Sequence, residues 1–182
     1  MQIHEHWITT ATQIPSPNCS ERSLEGDISL LVIHCISLPP GDFGGPWIDA
    51  LFCNSLDAGA HPYFAAICTL RVSAHLLIRR DGSLVQYVPF DRMAWHAGRS
   101  SYKGREGCNE FSIGIELEGT EELPFSADQY LQLQAVTRLL LQTYSGLSAE
   151  NIAGHSDIAP GRKTDPGPCF DWPRYRSSLR GA

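Results

Sequence analysis

The sequence predicts an α/β (α+β) domain, and three stretches carry that prediction. Residues 29–38, SLLVIHCISL, are apolar on both alternating sets, as in a strand buried on both faces at the centre of a sheet. Residues 111–119, FSIGIELEG, alternate large apolar side chains with small or acidic ones, which is the period of a strand. Residues 126–144 form the one strong helix: Leu131, Ala135, Val136, Leu139 and Leu140 recur at helical spacing, and Ser126 with Gln129 makes a capping box.

Length and composition bound the rest. A chain of 182 residues is close to one ordinary domain and can bury a sizeable core, so a single domain over 1–182 is expected. Hydrophobic residues at 42% against 19% charged describe a folded globular protein. The net charge of −6 and the lack of a Lys/Arg cluster argue against a nucleic-acid partner and give no support to adsorption on anionic lipid. The N-terminus lacks the basic head and apolar run of a secretory signal, and no stretch approaches the roughly 20 apolar residues that span a bilayer. A cytoplasmic protein is therefore expected, with no membrane contact and no obligate protein partner evident. Six cysteines show no CxxC pair, and in a reducing compartment they read as free thiols.

Taken in order, residues 1–28 read as an irregular N-terminal arm with a turn cluster at Pro15–Asn18, and His4 and His6 as surface residues without partners. WIDALF after Pro46 has the spacing of a short helix, and AHPYFAAI of a further turn in which His61 is structural or exposed. RVSAHLLIRR, a DGS turn and LVQYVPF make a hairpin that puts Ser73, His75 and Leu77 on one side. The loop that follows offers Trp95 and His96 as pieces of a binding wall, since an indole presents a flat apolar face and an N–H. NIAGH is a short strand, and DWPRYRSSL a short terminal helix.

Candidate chemistry concentrates in residues 154–168, GHSDIAPGRKTDPGP, whose three prolines and three glycines exclude a regular helix or strand. An imidazole nitrogen (His155) and a carboxylate oxygen (Asp165) are good zinc ligands, and a zinc ion that does chemistry usually has three protein ligands. His34, at the end of the buried strand where it meets PPGDFGGP, is the leading candidate for the third, against the alternative of a hydrogen-bonded core histidine. Glu116 shares its strand face with Ser112 and Gly114; a buried carboxylate needs a charged or catalytic cavity, unless that face is simply solvated. With His34, His155 and Asp165 on zinc, Glu116 would be the general base and Lys163 the cation that stabilises an oxyanion.

These residues resemble a known family. VIHCISLPPGDFGGPWIDALF, AHPYFAAI, LRVSAHLLIRRDGSLVQYVPFDRMAWHAG, FSIGIELEGT and GHSDIAPGRKTDPGPCFDW are similar to successive blocks of the AmpD-type anhydro-N-acetylmuramyl-L-alanine amidases of bacterial cell-wall recycling, over nearly the whole chain. The resemblance implies a central mixed β-sheet flanked by helices, the fold shared with phage lysozyme-like amidases and peptidoglycan-recognition proteins. It implies His34, His155 and Asp165 as zinc ligands, Glu116 and Lys163 as catalytic residues, and a small muropeptide as substrate, cut at the amide between the lactyl group and L-alanine. Where related amidases often carry tyrosine, Ala74 stands here, which leaves Glu116 as the base and His75 as a core or supporting residue.

Two departures fall at Cys35, where asparagine is expected, and Gly107, where arginine is expected, so contacts to substrate there are lost or changed. Arg71 or Arg162 are the candidate replacements, and Trp95, Tyr63, Leu117 and Arg162 the candidate pocket residues. Two other functions keep a place: a muropeptide-binding module that does not cut, and an amidase lysing intact cell wall.

Overall fold

The computed structural model describes residues 1–23 and 27–180. Among these described residues, twelve strands and four α-helices follow one another as β1 (Ile3–His4), β2 (Trp7–Ile8), β3 (Thr12–Gln13), β4 (Cys19–Glu21), β5 (Leu30–Ile36), α1 (Trp47–Phe52), β6 (Leu76–Ile78), β7 (Leu84–Gln86), β8 (Arg92–Ala94), β9 (Ser101–Tyr102), β10 (Arg105–Glu106), β11 (Ser112–Glu118), α2 (Ala127–Thr143), β12 (Ile152–Gly154), α3 (His155–Ile158) and α4 (Trp172–Leu179). Six strands form the central sheet in the order β12-β5-β11-β6-β7-β3. The pairs β12–β5, β5–β11, β11–β6 and β7–β3 are parallel and β6–β7 is antiparallel, so the sheet is mixed, as expected.

The period of two in β5 and β11 decides what lies on each side. Leu31 and Ile33 of β5 with Ile113, Ile115 and Leu117 of β11 face one way and pack with Leu133, Val136 and Leu140 of α2. Helix α4 closes that layer, where Tyr175 Oη and Thr137 Oγ1 lie 2.7 Å apart. On the opposite face, Leu77, Val85 and Tyr87 meet Ile48, Leu51 and Phe52 of α1, and Leu30 and Val32 meet Ala97, Phe111 and Ile158. His34, Glu116 and Glu118 project to this second face.

Three expectations are corrected. The N-terminal arm is not irregular: β3 adds to the edge of the central sheet and β4 pairs with β8, while residues 24–26 of the arm lie outside the described residues. Such strands of two or three residues are fixed by partners distant in sequence and leave no periodicity to read. Arg22 holds the arm down by donating to the carbonyls of Phe90, Asn109, Glu110 and Ser112. The buried face of α2 is rotated from the expected stripe: Leu131 is 63% exposed and Ala135 is exposed, whereas Gln129, Tyr130 and Thr137 are buried beside Leu133, Val136 and Leu140. Polar residues enter that face because they find partners, Gln129 Nε2 donating to Ile78 O and Glu118 O. His6 also has a partner, its Nδ1 standing 2.9 Å from Tyr144 Oη.

Candidate metal centre and active site

The register of the sheet brings the first two site residues together. His34 and Glu116 are direct neighbours across the parallel β5–β11 pair, near the ends of both strands, where the chain leaves the sheet for loops. The next strand, β12, ends at Gly154, and His155 opens the single turn α3. The residues before Pro160 are therefore one turn of helix, a correction to the expectation that residues 154–168 hold no regular structure. The chain then returns through Lys163 to Asp165, tied back to that turn by a hydrogen bond from Ser156 N to Asp165 O at 2.9 Å.

Three ligand-type atoms converge. His34 Nδ1 is 3.0 Å from His155 Nδ1, and each is 3.1 Å from Asp165 Oδ2. Both imidazoles are buried. Burial lowers the His34 pKa to about 4, against the pull of Asp165, so the ring is neutral near pH 7. Burial pushes the Asp165 carboxyl up, but hydrogen bonds with His155 and His34 outweigh it and hold the group well below the ordinary carboxylate range. The far nitrogen of His155, Nε2, faces Ala97 O at 3.2 Å. A carbonyl only accepts, so Nε2 carries the proton and Nδ1 turns a lone pair toward Asp165 Oδ2. Converging lone pairs repel unless a cation lies among them, and the three residues form a group able to hold a metal ion.

Glu116 stands beside this group. It is 9% exposed, and its Oε2 has no hydrogen-bond partner among the described residues. Burial first, and the neighbouring Asp165 second, raise its pKa well above the ordinary value, opposed by Lys163. The reading of β11 as a solvated face with two surface glutamates is thereby excluded, since Glu118 is 2% exposed. The two carboxylates differ in company: Glu118 Oε1 accepts from Gly44 N at 2.7 Å and from Arg79 Nη1 at 3.2 Å, and Oε2 from Arg80 N at 3.1 Å.

His34, Glu116, His155, Lys163 and Asp165 all line one cleft of about 450 Å³. Tyr63 and Trp95 line it too, and Trp95 Nε1 donates to Ser20 Oγ at 3.0 Å, which leaves the indole face as wall. Cys35 also lines the cleft, its thiol pushed up by burial and then by Glu116. Three expected pocket residues are not brought there. Leu117 is 1% exposed and packs in the α2-side core, because alternation turns it away from Glu116. Exposed Arg71 directs its guanidinium to Thr69 O and Leu70 O. Arg162 lines a neighbouring cavity with Gly107, and its Nη2 donates to Ala97 O at 2.6 Å and Arg99 O at 2.8 Å. Of the other histidines, His75 is a core group whose Nδ1 accepts from Gly114 N at 3.0 Å, and His61 caps the 3₁₀ turn Pro62–Ala66.

A second imidazole role went unread in the sequence. His96 is not simply wall: its Nδ1 is 2.8 Å from His34 Nε2, and its ring lies where a β-carbon on Gly114 would fall, 2.5 Å away. Glycine in the middle of β11 was the available signal, and its cause is a side chain packed onto the strand rather than a ligand. Burial lowers the His96 pKa well below the ordinary value.

Converging ligand atoms beside an unpaired buried carboxylate, at strand ends that open on a cleft, are the outfit of a hydrolase able to hold a metal ion. The comparisons with known proteins narrow the class: the chain belongs to the N-acetylmuramoyl-L-alanine amidase family, whose model matches residues 24–168. It is 62% identical over 171 residues to the 1,6-anhydro-N-acetylmuramyl-L-alanine amidase AmpD of Salmonella typhimurium, covering 94% of this chain and 91% of that protein. The AmpD of Escherichia coli is 60% identical over 176 residues, covering 97% and 96%. A crystal structure of a selenomethionine AmpD derivative superposes with a TM-score of 0.96 at 60% identity, covering 98% of this chain and 99% of that one. Further off, the E. coli amidase AmiD in complex with its substrate anhydro-N-acetylmuramic acid-L-Ala-D-gamma-Glu-L-Lys gives a TM-score of 0.64 at 30% identity, covering 90% of this chain and 62% of that one.

Proposed function

We propose that this protein is a zinc-dependent amidase that hydrolyses the lactyl–L-alanine amide of 1,6-anhydromuramyl peptides in cytoplasmic peptidoglycan recycling. The observation that carries the reading is the triangle of His34 Nδ1, His155 Nδ1 and Asp165 Oδ2, with sides of 3.0, 3.1 and 3.1 Å, beside the unpartnered Oε2 of Glu116. The donor set suits zinc: bonds of about 2.0–2.2 Å to imidazole and carboxylate in a tetrahedral array leave ligand atoms roughly 3.3 Å apart, close to this triangle. Three protein ligands leave one position open, as in catalytic rather than structural sites. The substrate class is drawn from the AmpD relatives and from the anhydromuramyl peptide bound by AmiD. No helix among the described residues is long and apolar enough to cross a membrane.

His34, His155 and Asp165 would hold the ion, which when bound supplies a Lewis acid and a water of pKa about 7. Glu116 takes a proton from the attacking water at Oε2 and returns it to the leaving amine of L-alanine. Burial beside Asp165 raises its pKa, which makes its carboxylate a stronger proton acceptor than an exposed one. Lys163 carries a positive charge at the cleft, where it offsets the negative charge that develops on the former carbonyl oxygen. Tyr63 and Trp95 present aromatic surface to the sugar and peptide.

Mass spectrometry of the products of a defined anhydromuramyl tripeptide, beside its non-anhydro counterpart, tests the reading. Free peptide released from the anhydro substrate, lost on chelation and restored by zinc, is the expected result. Binding of the intact muropeptide without release would make the protein a binding module, and release from intact peptidoglycan in preference would make it a lytic amidase.

A further inference from the structure

Both imidazoles of the candidate metal centre depend on one loop for their outward nitrogens. His96 meets His34 Nε2, and the next residue, Ala97, offers its carbonyl to His155 Nε2. That loop is built rather than loose. Asn109 Oδ1 accepts from His96 N at 3.1 Å and Ala97 N at 2.7 Å, Ser73 Oγ accepts from Trp95 N at 3.0 Å, and Arg162 clamps Ala97 O.

The proton positions along the His34 branch follow from its far end. Cys108 O, a carbonyl, can only accept, so Ser112 Oγ–H donates to it across 2.5 Å and spends its single proton there. Ser112 Oγ must therefore accept from His96 Nε2–H at 3.0 Å. In a neutral ring the other nitrogen is then bare, so His96 Nδ1 accepts from His34 Nε2–H at 2.8 Å. His34 is left with its lone pair on Nδ1, the atom that faces His155 and Asp165.

From this geometry we infer that His96 and Ser112 are positioning residues, a relay anchored on the Cys108 carbonyl that fixes His34 in the one tautomer able to ligate a metal through Nδ1. The inference rests on the metal reading above, though not on the identity of the substrate. Without His96, the His34 ring gains freedom to hold its proton on Nδ1, where it blocks ligation. Gly114 belongs to the same device, because a side chain there would occupy the place of the His96 ring.

Two measurements that need no substrate test it. The first is a long-range ¹⁵N–¹H spectrum of the metal-free protein, where His34 should carry its proton on Nε2. The second is zinc affinity by competition with a chromophoric chelator. Ser112→Ala, which cuts the relay at its far end and leaves the metal group intact, should weaken zinc several-fold. His96→Leu should weaken it by roughly 10- to 100-fold, the usual range for partners of metal ligands, and His96→Gln, which restores an acceptor, should recover part of the loss. In His96→Leu the His34 signal should shift toward the Nδ1–H form. His34 protonated on Nδ1 in the unsubstituted protein would overturn the inference. So would Ser112→Ala and His96→Leu variants that melt cooperatively yet bind zinc within twofold of the parent. Failure of the unsubstituted protein to bind zinc at all would instead sink the metal reading, with the tautomer still visible in the spectrum.

Discussion

The two faces of strand β11 obey opposite rules although they alternate residue by residue. Ile113, Ile115 and Leu117 enter a continuous apolar layer against α2, where any well-shaped hydrocarbon would serve. Ser112, Gly114, Glu116 and Glu118 face the other way, and each is there for a specific contact or the lack of one: a relay hydroxyl, room for an imidazole, an unpartnered carboxylate and an anchored one. One face contributes stability, and the other gives some up, since leaving Glu116 Oε2 buried and unpaired costs free energy that a neutral isostere would not. A single strand can do both because the α2 layer makes it rigid enough to hold an unfavourable group in place.

The sharpest way to break this division is Glu116→Gln. Turnover should fall by about a hundred- to ten-thousand-fold, the usual worth of a general base, while zinc affinity stays close to that of the parent and thermal stability is equal or higher. Normal turnover would transfer the base role to another group. The mirror experiment is Leu133→Ala in α2, where the side chain is fully buried. It should cost about 2–5 kcal/mol in denaturant unfolding and leave the rate per folded molecule within twofold. A large drop in that rate would mean that the two faces are not separable.

Much of this division was legible in the sequence, and the reason is locality. The alternation in FSIGIELEG and the doubly apolar run around His34 are properties of a few neighbouring residues, and both strands formed where the pattern put them. The residue types at 155, 163 and 165 likewise announced chemistry without their partners. What could not be read depended on distant pairings. Strands β3 and β4 of the N-terminal arm exist because β7 and β8 are beside them. Leu117 has the residue type of a pocket wall, but its own alternation, taken one step further, points it at α2. The charge and loop position of Arg162 suggest a substrate contact, whereas Ala97 O, 65 positions away, is what it grips. The rotation of α2 followed from hydrogen bonds to Gln129 and Thr137 that no helical wheel contains.

Acid should reveal the site-side face as the less stable of the two in the metal-free protein. Burial, with Arg22 adding to it, lowers the His75 pKa from 6.5 to about 3. The folded state therefore binds fewer protons than the unfolded chain between those values. Stability from the neutral ring is fully present above pH 6.5 and is lost as pH falls toward 3, with a slope of up to about 1.4 kcal/mol per pH unit for one proton. Unfolding free energies measured between pH 7 and 4 should fall with pH, and His75→Gln should remove one proton's worth of that slope. An unchanged slope would mean that His75 titrates normally in the folded protein.

The smallest effect expected lies at the end of the α2 layer nearest the site-side face. Ser126 caps α2, accepting from Gln129 N at 3.1 Å while its own hydroxyl donates to Arg80 O at 2.7 Å, and Arg80 N in turn donates to Glu118. Ser126→Ala removes the cap and should cost about 1 kcal/mol, the usual price of such a residue. The anchored Glu118 retains its bonds from Gly44 and Arg79, so the cleft should not notice, and turnover should stay within twofold. If the rate falls together with stability, the connection through Arg80 and Glu118 transmits the state of the helix into the site. The two faces of β11 would then be coupled at their common end even though they are independent at the middle of the strand.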